Sequence, residues 1–254
     1  MFQYAMARLV AMSDGSKMVT MWNHNGFIEA NECYEGHTYD GETVQIEDLR
    51  FGNTAVNPLD GFDYSGRRVH LNGYFQDAAF YNPHREIIKG FWQLPKVKIN
   101  YDDLVIHLRL TDYFWFRNKT VIHPNWYREI IKKEHYRKLY IVVEPHCTNG
   151  KYLSFFNDLH PIIVSQSPKE DFMFLMSFDR IVCSNSTFAW WAAFLSDAKK
   201  IYLFSKWMGI KRKSCLGLVD IAGAIKVTGN FYRNKKLEAL DWTDYWNKPK
   251  EFFR

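Results

Sequence analysis

Cysteine is scarce in this chain. Cys33, Cys147, Cys183 and Cys215 lie far apart over 254 residues, and none forms a Cys-x-x-Cys pair. That spacing argues against a disulfide framework or a zinc site and favours reduced thiols in a cytoplasmic compartment. The nine histidines show no His-Glu-x-x-His or other paired-ligand spacing, so no metal is expected. Also missing is any apolar run of about 18 residues, so no transmembrane segment is expected. The N-terminus lacks a basic stretch followed by an apolar one, which argues against a secretory signal. A net charge of +5 favours anionic partners only mildly. The basic residues are scattered except at Lys211-Arg212-Lys213 and Lys235-Lys236, which read as solvated surface, so no nucleic-acid partner is expected. Internal repeats and low-complexity tracts are absent too. Two Asn-x-Thr triplets, at Asn118 and Asn185, would stay unmodified in a cytoplasmic protein.

What the chain does have is apolar and aromatic content, 47% and 17%, including 9 Trp and 15 Tyr. That supports a sizeable core and also suits sugar stacking. From residue 96 onward short apolar runs alternate with helical patterns. Strands are expected at Leu104–His107, Leu139–Val143, Ile162–Val164, Ile181–Cys183 and Lys200–Leu203. Helices are expected over 124–133, 150–159, 167–177 and from Ser184 onward. Ser167-Pro168-Lys169-Glu170 reads as a capping box with proline at the first helical position. Alternation of this kind means βαβ units and a doubly wound parallel sheet in an α/β fold. The N-terminal third is less regular: a helix over Met1–Met12 stopped at Asp14-Gly15, a polar region to Gly66, a strand from Val69 ending in a turn by Gln76, and a helical pattern over 83–94. The implied division is 1–95, 96–234, and a tail, 235–254, whose aromatics pack back on the body. The first helix opens with no capping residue before it and no strand leading into it.

Two segments carry the chemistry. Cys183-Ser184-Asn185-Ser186-Thr187 joins a strand to a helix, where backbone N–H groups and the helix dipole favour an anion. One of these polar residues could simply cap the helix, but a cap needs one, and four stand ahead of Trp190-Trp191. The second, His107-x-Arg109-x-x-Asp112, follows the strand at 104–107, so the two loops can converge on one crevice. Arg109 offers a fork of donors suited to a diphosphate, and Asp112 could orient it or accept a proton. An ordinary surface Arg–Asp pair is the other reading.

Four blocks in order resemble the α-1,2-fucosyltransferases, glycosyltransferase family 11: Met1-Phe2-Gln3-Tyr4-Ala5; Gly73-Tyr74-Phe75-Gln76; His107-x-Arg109-x-x-Asp112; and Ser184-Asn185-Ser186-Thr187-Phe188-x-Trp190-Trp191. Glu170-Asp171 also sits where that family carries an acidic pair. The resemblance implies a GT-B-like fold of two Rossmann-like domains facing a cleft, with the nucleotide-sugar in the C-terminal one. It implies inverting transfer of fucose from GDP-fucose to a galactose-containing glycan acceptor, with no cofactor and no metal. Carried over by position, Arg109 holds the diphosphate, and His107, Asp171, Ser184, Asn185, Ser186 and Thr187 complete donor binding. Arg109 and Asp112 are the catalytic candidates, Asp112 as base, and Tyr74 and Gln76 face the acceptor. Two departures stand out. Leu110 replaces a second arginine found in many members. The strand and Gly-Gly-Leu-Gly-Asn-Gln turn that normally precede the first block are lacking, so the N-terminal domain is expected to be incomplete. The alternative expectation is a catalytically impaired GDP-sugar or glycan-binding protein on the same fold.

Overall fold

A computed structural model describes residues 1–15, 18, 41–47, 58–59, 63–64, 66–110, 112–114, 121–147, 151–206 and 220–232. Outside them fall Cys33, Cys215, the Asn118 triplet, both basic clusters, the 235–254 tail and the side chain of Asp112. The chain divides into two compact units, one built on Met1–Lys96 and the other on Val97–Lys211 with Val219–Arg254.

In the second unit the strands run β3 (Leu104–His107), β4 (Leu139–Val142), β5 (Ile162–Val164), β6 (Arg180–Val182), β7 (Lys200–Phe204) and β8 (Ile225–Val227). They form one sheet in the order β5-β4-β3-β6-β7-β8, and every pair is parallel. The reason is visible in β3: all four residues of Leu-Val-Ile-His are buried, as a central parallel strand covered on both faces requires. The connections carry α4 (Pro124–Ile131), α5 (Pro168–Met176) and α6 (Thr187–Leu195). α5 starts on the anticipated capping box, with Ser167 Oγ accepting from Glu170 N and Glu170 Oε2 accepting from Ser167 N at 3.0 Å. α6 is apolar nearly all round and is buried accordingly, with Trp190 stacked on Phe194 at 4.7 Å and 12°. Each such side chain contributes about 2–3 kcal/mol by leaving water. Packing around β7 is tight enough that glycine is required at 229: a Cβ there would lie 2.5 Å from the Trp126 ring and 3.0 Å from Phe204.

The amino end of this sheet is closed by charge. Buried Glu134 pairs with Lys200 at 2.6 Å and Arg180 at 3.6 Å and accepts from the Tyr202 hydroxyl. Asp103, 1% exposed, accepts from Arg137 at 3.2 Å, Asn100 at 2.9 Å and the Lys138 N–H at 3.1 Å.

Two expectations change. The helix over 150–159 is a 3₁₀ helix, Leu153–Leu159. Leu153 and Phe156 are buried and Leu159 packs beside them, an i, i+3, i+6 spacing that suits three residues per turn rather than 3.6. β8, an Ile-Lys-Val strand, carries too short an apolar run to be read from sequence.

The first unit holds α1 (Phe2–Asp14), closed by Gly15 at φ 72°, and a parallel pair, β1 (Thr43–Glu47) with β2 (Arg68–Asn72). β1 falls in the stretch read as irregular. The helix expected over 83–94 is broken into α2 (Ala78–Tyr81), a 3₁₀ turn (Asn82–His84) and α3 (Arg85–Lys89). Asp77 starts it early by accepting from Ala79 N at 3.0 Å, and Pro83 has no N–H to continue it.

Candidate functional site

β3 and β6 are neighbours, but the chain runs outward from β3 through β4 to β5 on one side and from β6 through β7 to β8 on the other. The order therefore reverses between them, and in open α/β sheets ligands sit at the carboxyl ends flanking that point. His107 is the last residue of β3, and Ser184 stands two residues beyond β6. The two meet: His107 Nδ1 lies 2.7 Å from Ser184 Oγ. The His107 ring packs on Phe188 at 5.4 Å and 31°, and Phe188 meets Phe172 of α5 edge-on at 5.4 Å. Burial, then the charge of Arg109, pushes the His107 imidazole down to about 3. It is neutral at physiological pH and acts here as a hydrogen-bonding ring rather than a cation.

The polar run that leads into α6, Ser184 to Thr187, is not simply its cap. Ser186 is the N-cap residue by position and makes no side-chain capping bond. Ser184, Asn185 and Ser186 are all buried, and Thr187 is half-buried. Asn185 is 1% exposed, and among the described residues neither its Oδ1 nor its Nδ2 has a hydrogen-bond partner. An amide buried that way costs about 1–3 kcal/mol unless something supplies its bonds.

Arg109 is one-third exposed and pairs with Glu144, Nη1 to Oε1 at 3.1 Å. Its guanidinium carbon also lies 5.6 Å from the Tyr113 ring centre. Sequence reasoning offered Asp112 as the carboxylate for Arg109 and missed Glu144. The available signal was an acidic residue directly after the apolar run of β4, the strand beside β3. Asp171 is buried at the start of α5, its Oδ1 accepting from Gln166 N at 3.1 Å, and burial pushes its carboxyl up. That bond gives it a local structural use, and among the described residues no hydrogen bond joins it to His107 or Ser184.

In the first unit two of the sequence blocks touch. Gln3 Nε2 donates to Gly73 O, and the Tyr81 hydroxyl bonds to the carbonyls of both Phe2 and Phe75. Gly73 at φ 140° and Phe75 at φ 49° make the turn. Phe75 tolerates that conformation because its ring is 1% exposed and held by the core. The turn leaves Tyr74 67% exposed and Gln76 half-buried.

The strand order is that of a Rossmann-like α/β unit. Residues 147–212, roughly a quarter of the chain, match the model of a family described as Glycosyl transferase family 11. The matched segment includes Asp171 and Ser184 to Thr187, and it begins after His107, Arg109 and Asp112. No curated protein and no solved structure matches. Among the described residues no helix is long and apolar enough to cross a membrane, and no group of three or more His, Cys, Asp or Glu could hold a metal ion.

Proposed function

We propose that this chain transfers fucose from GDP-fucose to the 2-hydroxyl of a terminal β-galactoside, with inversion, without a metal, and on a GT-B frame. The observation that carries the reading is the His107–Ser184 hydrogen bond of 2.7 Å, because it ties the arginine loop and the polar loop before α6 to one crevice.

In this reading the donor diphosphate lies between Arg109 and the 184–187 segment. Arg109 neutralises the charge that grows on the diphosphate as its bond to the fucose anomeric carbon breaks. Neutral His107 leaves that charge to Arg109 and holds Ser184 in place for the nucleotide. Asn185 meets the donor with its amide, and Ser186 and Thr187 bring hydroxyl and backbone groups to it. Asp171 contacts the base or ribose from the start of α5. The acceptor hydroxyl attacks the anomeric carbon from the opposite face and gives its proton to Asp112. Tyr74 and Gln76 contact the acceptor.

Calorimetric titration of GDP, followed by a galactoside product assay, tests the reading. Arg109→Ala should weaken GDP binding about a hundredfold, as loss of a charge-assisted contact to a diphosphate requires. Unchanged affinity with the fold intact overturns the assignment. Turnover should survive EDTA, and a strict metal requirement counts against the mechanism. Binding without turnover would make the chain a GDP-sugar-binding protein instead.

A further inference from the structure

We propose that Glu144 is the positioning residue for Arg109, presenting its guanidinium to the anion that binds at the β3/β6 crevice. The inference rests on the donor-binding reading of Arg109 given above.

The geometry is that of a ladder continued by a side chain. β3 and β4 pair in register from Leu104↔Leu139 to His107↔Val142, and the ladder runs one step further, with Leu108 N donating to Val142 O at 2.9 Å. The next N–H that faces β4 is that of Leu110. Glu144 Oε2 accepts from it, at 3.2 Å. The other oxygen of the same carboxylate, Oε1, takes Arg109 Nη1 at 3.1 Å. One carboxylate thus fixes both the backbone of the loop and the arginine it carries, at the residue where strand order alone stops dictating the path. The pair is shielded as well: the Glu144 side chain is 16% exposed and that of Arg109 33%. An exposed ion pair contributes little, but a shielded one that also holds a backbone N–H restricts where the guanidinium can point.

Only a carboxylate can do this. Among the N–H donors that meet Glu144 are those of Leu110 and Arg109, one on each oxygen. An ionised carboxylate accepts at both oxygens, whereas an amide offers one acceptor and turns an NH₂ toward the second donor. Glu144→Gln therefore keeps size and shape and must abandon one of the two bonds.

The test is a double-mutant cycle read by calorimetric titration of GDP against the wild-type chain, Glu144→Gln, Arg109→Ala and the double variant. Glu144→Gln should weaken GDP about tenfold, the scale of one lost bond to a charged group. In the Arg109→Ala background it should change nothing beyond about twofold, because a residue acting through Arg109 has nothing left to position. Additive losses, or wild-type affinity in Glu144→Gln, overturn the proposal while leaving the donor reading standing. If Arg109→Ala binds GDP like the wild type, or the wild type does not bind it, the donor reading falls and this inference with it. Should Glu144→Gln fail to fold by circular dichroism, Glu144→Asp takes its place in the cycle. That variant keeps the charge and withdraws it by one methylene, out of reach of both donors, and wild-type affinity there overturns the proposal equally.

Discussion

The two ends of the β3–β8 sheet are built on opposite principles. At the amino end, buried carboxylates are saturated: Glu134 is met by Lys200, Arg180 and Tyr202, and Asp103 by Arg137, Asn100 and a backbone N–H. Asp179 is the exception there: its Oδ1 is buried and has no hydrogen-bond partner among the described residues. At the carboxyl end the buried polar groups are under-supplied. Among the described residues Asn185 has no partner for either side-chain atom, and His107 is held neutral far below its ordinary range. Saturation stabilises the empty chain, whereas an unmet buried amide destabilises it until a ligand arrives. On the function proposed above, the difference separates the part of the sheet that holds the fold from the part that answers to a substrate.

The sharpest way to break that separation is Glu134→Ala. It leaves the buried Tyr202 hydroxyl and the half-buried Arg180 and Lys200 without their carboxylate and should cost about 2 kcal/mol of unfolding free energy in urea titration. GDP affinity should stay within about twofold of wild type. A variant that keeps its stability, or one that folds and loses GDP, would erase the distinction between the ends.

The pH dependence divides the ends by window. Burial raises the Glu134 and Asp103 carboxyls, but their hydrogen bonds and neighbouring cations outweigh it and both end below the usual carboxylate value. A depressed carboxyl contributes stability that is complete above its unfolded value, about 4, and is lost as pH falls through the folded one. His107 works over a different range. Its folded value, about 3, lies below the unfolded one, so only the unfolded state takes up a proton in between. Stability should therefore decline already from about pH 6.5 downward, by on the order of 2 kcal/mol at pH 5. Thermal unfolding across pH should show that early decline in the wild type and lose it in His107→Gln. A ring that titrates by NMR between about pH 5 and 8 would contradict it.

The fold of the second unit was legible because its signals are local. Apolar runs at 104, 139, 162, 181 and 200, a capping box at Ser167 and proline at the start of α4 and α5 each declare an element without reference to the rest of the chain. What escaped was short or non-local. β8 has three residues, and the Leu153–Leu159 segment has a three-residue period easily taken for a helix of the commoner kind. The site was legible as two loops, since a motif names its own residues. Glu144 was not, because its partner Leu110 stands 34 residues away and only strand adjacency unites them. Nor was the burial of Asn185, since four polar residues in a row look like an exposed loop.

Asn185 gives the finest test of the contrast, because the same side chain should pull stability and binding in opposite directions. Replacing it by leucine, close in shape, removes two buried polar atoms that have no partner and adds none. The empty chain should gain about 1 kcal/mol in urea titration, the reverse of what most buried substitutions do. GDP affinity should fall about tenfold, since the amide's bonds are made only when the donor is present. A gain in stability with unchanged affinity would mean that the amide faces no ligand and is a defect of packing. A loss of stability would mean that it is already bonded in the empty chain, and the carboxyl end would then be as fully supplied as the amino end.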